Sequence, residues 1–220
     1  MQLIIDESVA SKFPNLKVLL QPIRGLKIER LNSKLEEFKK QVYERVREMY
    51  TLEGLKDVKI FRLYRDFFWR IGIDPTKIRP AAEALIRRIL GGKDIPQINT
   101  LVDAYNLASI HTGIALAAFD MDKLKGLLRM RFANQGEKFL GIGMDQPMIL
   151  KGCEIVISDE NNLIAIYPYR DADFSKITEE TKNALIMVCG VPGIDEQTLE
   201  NARNVAIDYI NKFCKRINNS

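Results

Sequence analysis

The most regular stretch of the chain runs from Arg30 to Tyr50, "RLNSKLEEFKKQVYERVREMY". Leu31, Leu35, Phe38, Val42, Val46 and Met49 recur at three and four, with charged positions between them. That period predicts an amphipathic helix over 30–50 whose apolar stripe packs on a core. In "DVKIFRLYRDFFWRIGIDPTKIRP", Val58, Ile60 and Leu63 predict a short strand. Tyr64 to Trp69 predict a helix that "GIDP" breaks. Pro80 suits the first position of a helix through "AAEALIRRIL", with Glu83 in its first turn and Arg87 and Arg88 towards its end, as the helix dipole prefers. "INTLVDAYN" begins another helix, capped by Asn99 and stopped by Gly113.

The pattern then changes from helix to strand. "LLRMRFA" and "EKFLGIG" flank the turn "ANQGE" and predict a hairpin; "CEIVISD" and "LIAIYPY" flank "ENN" and predict a second. "NALIMVCG" is a continuous apolar run and reads as a buried strand. "DEQTLENARNVAIDYINKFCKRI" is a final amphipathic helix, with Leu199, Ala202, Ala206, Tyr209, Ile210 and Phe213 on its apolar side. Helices first, strands second and a closing helix predict an α+β fold with a mixed or antiparallel sheet, not a doubly wound one. The 220 residues suit a single domain: an N-terminal segment 1–55, a core 56–193 and a C-terminal helical segment 194–220.

Composition narrows the function classes. Hydrophobic residues make up 46% and charged residues 28%, as in an ordinary globular protein. No apolar run approaches the roughly 20 residues that span a bilayer, and "MQLIIDESVA" carries acids where a signal peptide carries positive charge. The expectation is a cytoplasmic protein with no membrane partner. A net charge of +4 permits nucleic-acid contact without demanding it. Cys153, Cys189 and Cys214 are far apart, no CxxC occurs, and His111 is the one histidine. Neither a metal site nor a cofactor is expected, and any catalytic triad would need that histidine. Buried and unreactive is the default for Cys189.

Three groups are candidates for chemistry. Asn99, Asp103 and Asn106 fall at i, i+4 and i+7, on one helix face, although Asn and Asp are poor helix-interior residues. They either cap and brace the helix or line a pocket. "YPYRDAD" offers Tyr167 and Tyr169 to stack on a base, Arg170 for a phosphate or carboxylate, and Asp171 and Asp173 for an ammonium group. It reads equally as a turn with an internal Arg–Asp pair. Arg79, Arg87 and Arg88 either form ordinary helix ion pairs with Glu83 or present positive charge to nucleic-acid phosphates. Arg131, beside Arg129 on one strand face, has the same two readings.

These residues also resemble a family. "INTLVDAYN" followed by "GIALAAFDMDKLKGLLRMRFANQGEKF" is similar to the B3/B4 domain of the phenylalanyl-tRNA synthetase beta subunit. There an Asn, a Val-Asp and an Asn share a helix, followed by Gly-Gln-Pro-x-His-Ala-Phe-Asp, Arg-x-Ala and Gly-Glu. Asn99, Val102, Asp103, Asn106, Gly113, Ala118, Phe119, Asp120, Gly126, Arg131, Ala133, Gly136 and Glu137 stand in the corresponding order. "EIVISD" and "TKNALIMVCG" resemble two further strands of the domain, so the likeness covers roughly residues 95–190. "DPTKIRPAAEALIRR" looks like freestanding members of the family.

The resemblance implies an α+β fold and hydrolysis of a mischarged aminoacyl-tRNA ester in trans, with the tRNA acceptor end as partner. It implies catalytic roles for Asn99, Asp103 and Asn106, and a pocket role for Thr181. An apolar specificity pocket would draw on Leu116, Phe119, Ile164 and Ile166. The chain departs from the family at its histidine, whose place falls on Ala117, in "YPYRDAD" where Gly-Gly is expected, and on the apolar last strand. The alternative expectation is a module of the same fold that binds tRNA or an amino acid without catalysis.

Overall fold

The structure, a computed structural model, describes residues 1–216. In chain order its elements are β1 (Leu3–Ile5), α1 (Glu7–Lys12), β2 (Val18–Ile23), β3 (Leu26–Lys27), α2 (Ser33–Met49), α3 (Lys59–Arg70), α4 (Ala81–Leu90) and α5 (Thr100–Thr112). These are followed by β4 (Ala115–Asp120), β5 (Leu128–Phe132), β6 (Lys138–Phe139), β7 (Met148–Ile149), β8 (Ile155–Ser158), β9 (Leu163–Ile166), β10 (Arg170–Asp171), β11 (Ala184–Cys189), α6 (Glu196–Phe213) and β12 (Lys215–Arg216). The fold is α+β. Residues 217–220, the end of the expected C-terminal helical segment, lie outside the described residues.

Two sheets share the core. A five-stranded sheet has the order β1-β5-β8-β9-β10, parallel at β1-β5 and antiparallel elsewhere; a three-stranded antiparallel sheet has the order β2-β11-β4. β11 is buried at every residue because both its faces are covered. Leu185, Met187 and Cys189 join a cluster with Phe67, Ile157 and Tyr167, whereas Ala184 and Ile186 join the helices α2, α4, α5 and α6. Two-sided burial is why this strand reads as an unbroken apolar run. α5 packs against α6, α4, α2 and β4, and eight of its thirteen residues are buried.

Several expectations are corrected. The strand predicted at Val58 and Ile60 is absent, and α3 begins at Lys59. Phe61, Tyr64, Phe67 and Phe68 are its buried positions, a spacing of three and four that overrides the short alternation. The hairpin predicted around "ANQGE" does not form. β5 pairs with β8, where Leu128 and Met130 join Ile155 and Ile157 in one core cluster, and β6 pairs with β7. Phe139 enters a separate small cluster with Leu150, Val156 and Ile166. The hairpin around "ENN" does form, as β8-β9. Leu31 and Met49 are 58% and 69% exposed, so the apolar stripe of α2 stops short of both ends. Pro80 stands one residue before α4, at its N-cap.

Candidate functional site

The polar stripe of α5 divides into two parts. Asn99 caps the helix: its Oδ1 accepts from the Val102 N–H at 3.0 Å, and its Nδ2 donates to the Ile177 carbonyl at 3.4 Å. Asp103 is buried with both oxygens engaged, one by Lys39 Nζ at 2.7 Å and the other by the Ile98 N–H at 3.0 Å. Burial pulls the Lys39 pKa down, but hydrogen bonds and charge from Asp103 and Glu36 outweigh it, and the net shift is upward. The ion pair therefore persists across the neutral range. The side chain of Asn106, on the next turn, makes no hydrogen bond with any described residue and lines a cavity.

That cavity, of about 170 Å³, opens between α5, β4, β11 and the segment from Ala165 to Asp171. Tyr105 and Asn106 enter from the helix, Ala117 from β4, and Met187 and Cys189 from β11. Alternate residues of a strand share a face, so β11 presents Met187 and Cys189 together. Two tyrosines brace this arrangement. Tyr64 Oη donates to the Cys189 carbonyl at 2.5 Å and accepts from the Ala115 N–H at 3.0 Å. Tyr167 Oη donates to the Gly190 carbonyl at 2.5 Å. That bond leaves the Tyr167 hydroxyl occupied by the scaffold.

Asp171 is the charged residue of the cavity wall. Its backbone is fixed by β10 pairing opposite Ala165 and by the Ile142 N–H on its carbonyl at 2.9 Å. Its carboxyl has no hydrogen-bond partner among the described residues. Burial pushes its pKa up to about 7, against the opposing pull of Arg170. Burial also raises the pKa of Tyr105, with added contributions from Asp171 and Asp103, and that of the Cys189 thiol, with a contribution from Asp171. At neutral pH the cavity thus holds a protonated phenol, a protonated thiol, an amide and a carboxyl poised between its two forms. Tyr169 also lines it, with its ring edge-on to Phe68 at 6.3 Å.

The remaining candidates lie elsewhere. Phe119 is wholly buried in the core, and Thr181 is a buried brace whose Oγ donates to Asp120 at 2.8 Å and accepts from the Thr178 N–H at 3.1 Å. Arg170 points along the 141–142 loop, with its Nη1 3.4 Å from the Ile142 carbonyl. Arg79 and Arg87 converge with Arg65 on the fully buried Glu83, at 3.7, 2.6 and 2.5 Å. Arg88 Nε donates to the Asp94 carbonyl, and Arg131 holds Glu137 through both guanidinium nitrogens at 2.9 and 2.7 Å. Sequence reasoning did not single out Tyr105, Met187 or Cys189 as pocket residues. The available signal was adjacency: Tyr105 precedes Asn106, and the alternate residues of an apolar strand had to face something. No group of three or more His, Cys, Asp and Glu side chains suited to a metal occurs among the described residues, and no helix there is long and apolar enough to cross a membrane.

Residues 63–215 match the B3/4 domain. The chain belongs to the B3/4 domain family. Curated relatives are phenylalanine–tRNA ligase beta subunits. The one from Fusobacterium nucleatum is 35% identical over 117 residues, which is 53% of this chain and 14% of that protein. The one from Wolbachia sp. subsp. Brugia malayi is 30% identical over 120 residues, 54% of this chain and 15% of that protein. The chain thus spans only a small part of the relatives it matches. Among solved structures, an N-terminal fragment of the phenylalanyl-tRNA synthetase beta subunit from Pyrococcus horikoshii shares the fold, with a TM-score of 0.52 and 17% identity over 97% of this chain and 49% of that one. Ala117 faces the cavity.

Proposed function

We propose that the chain hydrolyses the ester of a mischarged aminoacyl-tRNA in trans, with the aminoacyl group held in the cavity between α5, β11 and the 165–171 segment. The observation that carries this reading is the pairing of two polar side chains, Asn106 and Asp171, that have no hydrogen-bond partner among the described residues and line one cavity. Membership of the B3/4 family and likeness to synthetase beta subunits support it. An apolar cavity of ~150 Å³ accepts benzene. A cavity of about 170 Å³ is therefore matched to an amino acid side chain and leaves the terminal adenosine outside.

Asp171, with a pKa of about 7, is suited to a general base at neutral pH. Its carboxylate takes a proton from water as the water oxygen attacks the ester carbonyl carbon. The Asn106 amide donates to the developing oxyanion. Collapse of the tetrahedral intermediate returns the proton to the leaving ribose oxygen and yields free amino acid and uncharged tRNA. An activated ester needs little more than positioned water and a stabilised oxyanion, so Ala117 in the histidine position does not exclude hydrolysis. Tyr169 and Arg170, at and beside the cavity, are placed to meet the terminal nucleotide. Arg79, just before α4, and Arg88, within it, are both exposed and are candidates for acceptor-stem phosphates.

The test is deacylation across a panel of tRNAs, each charged with its correct and with near-cognate amino acids. Selective loss of one mischarged species is expected, slowed ~10²- to 10⁴-fold by Asp171→Asn and less by Asn106→Ala. Full activity in Asp171→Asn would refute the assignment of the base. The second reading, a binding module, is favoured by the missing histidine at Ala117. It predicts equal binding of charged and uncharged tRNA with every ester intact.

A further inference from the structure

A second cavity, one turn further along α5 from Asn106, is not used by that chemistry. It has a volume of about 230 Å³ and lies between α2, the C-terminal end of α5, and α6. Its inner wall is Val42, Val46 and Ile110, all at most 5% exposed and so held by the core. Its outer wall is different. Met49 is 69% exposed, and an unbranched thioether can move aside or close over an occupant. Tyr50 completes the apolar lining.

The mouth is polar and cationic. Arg45 lines it and makes no ion pair or hydrogen bond among the described residues. His111 Nδ1 lies 2.6 Å from Tyr209 Oη. Burial raises the Tyr209 pKa, with Arg45 opposing and Asp208 adding to the rise, so the phenol stays protonated. When it donates to Nδ1, the imidazole carries its proton on Nε2, a donor at the cavity mouth. Asp208 is the opposing charge in this neighbourhood.

We propose that this cavity binds a small amphipathic carboxylate of the aryl-alkanoate class, with the ring among Val42, Val46 and Ile110 and the carboxylate on Arg45 and the His111 Nε2–H. Size, shape of the lining and charge agree on this class. The volume exceeds the ~150 Å³ that holds benzene by about the room for a short side chain. The thioether of Met49 and the ring of Tyr50 favour an aromatic over an aliphatic guest. A guanidinium without an ion pair offers the paired donors that a carboxylate accepts.

The site is tested by calorimetric titration of the full chain with hydrocinnamate, and with its neutral analogue hydrocinnamamide, while amide chemical shifts are followed. Hydrocinnamate should bind saturably and shift Val42, Ile110 and His111. Arg45→Ala should weaken it roughly tenfold, as expected for losing a charged hydrogen bond, with partial recovery in Arg45→Lys. Val46→Trp should fill the cavity and abolish binding; an unchanged circular dichroism spectrum and cooperative unfolding identify a folded variant. Asp171→Asn, at the other cavity, should bind hydrocinnamate as the parent does. The proposal is overturned if the neutral amide binds equally well, if the shifts centre on Tyr105 and Asp171, or if no saturable binding occurs.

Discussion

Replacing Asp171 with asparagine should make the folded chain more stable at alkaline pH and leave it unchanged at acid pH. The carboxyl pKa is raised from 3.8 to about 7 by burial, so the native state favours the protonated form. Well below pH 3.8 the group is protonated in both the folded and unfolded states, and its contribution is fully present. As pH rises towards 7 the unfolded chain ionises first and folding loses stability. Above about pH 7 the folded chain must carry the buried charge, and the loss is complete. At ~1.4 kcal/mol for each pH unit, the whole shift amounts to about 4 kcal/mol. Partial access of water to the carboxyl lowers that to about 2 kcal/mol in practice. Asparagine keeps the shape and never ionises. Urea unfolding of both proteins at pH 4, 6 and 8 measures the difference directly, and the stabilisation should grow with pH. An equal difference at all three values, or destabilisation at pH 8, would show that the carboxyl is not held in a poorly solvated cavity.

Other outcomes follow from the scaffold. Asp103→Ala leaves Lys39 buried with Glu36 as its one remaining ion-pair partner, and thermal unfolding should show a loss of about 3 kcal/mol, whereas Lys39→Met with Asp103→Leu should lose much less. Tyr64→Phe strips partners from the Cys189 carbonyl and the Ala115 N–H and should lower stability by ~1–3 kcal/mol in denaturant titrations. Gly113→Ala places a Cβ 2.8 Å from Ile60 Cγ2 at a φ of +74°, and should lose at least ~1–2 kcal/mol by the same measurement.

What the sequence revealed depended on how local the cause was. α2, α4 and α6 carry their own period, α2, α5 and α6 their own side-chain caps, and the β8-β9 hairpin its own turn. Asn99 reads as an N-cap from the residues beside it and is one. The partner of Asp103 stands 64 residues earlier, in another helix, so helix spacing alone groups Asp103 with Asn106 although the two face different surroundings. The same holds for β5, whose partners β1 and β8 are set by which apolar faces meet across the core. Of the "YPYRDAD" residues, Tyr167, Tyr169 and Asp171 line the cavity, while Arg170 turns to a loop. The Tyr167 hydroxyl is spent on Gly190, a bond invisible in a linear pattern.

The N-terminal strands have a consequence for how the chain is made. β2 pairs along its whole length with β11, Val18 opposite Cys189 and Ile23 opposite Ala184, and β1 lies beside β5. On the ribosome β2 emerges before β11, with α2 to α5 and β4 to β10 between them. Until β11 follows, β2 lacks its native partner. Contacts so distant in sequence make closure of the three-stranded sheet slow and late. The interval exposes the growing chain to pairing with other chains, which is the hazard of an open edge. β2, not the strand that completes the sheet, is therefore the edge that stays unpaired longest.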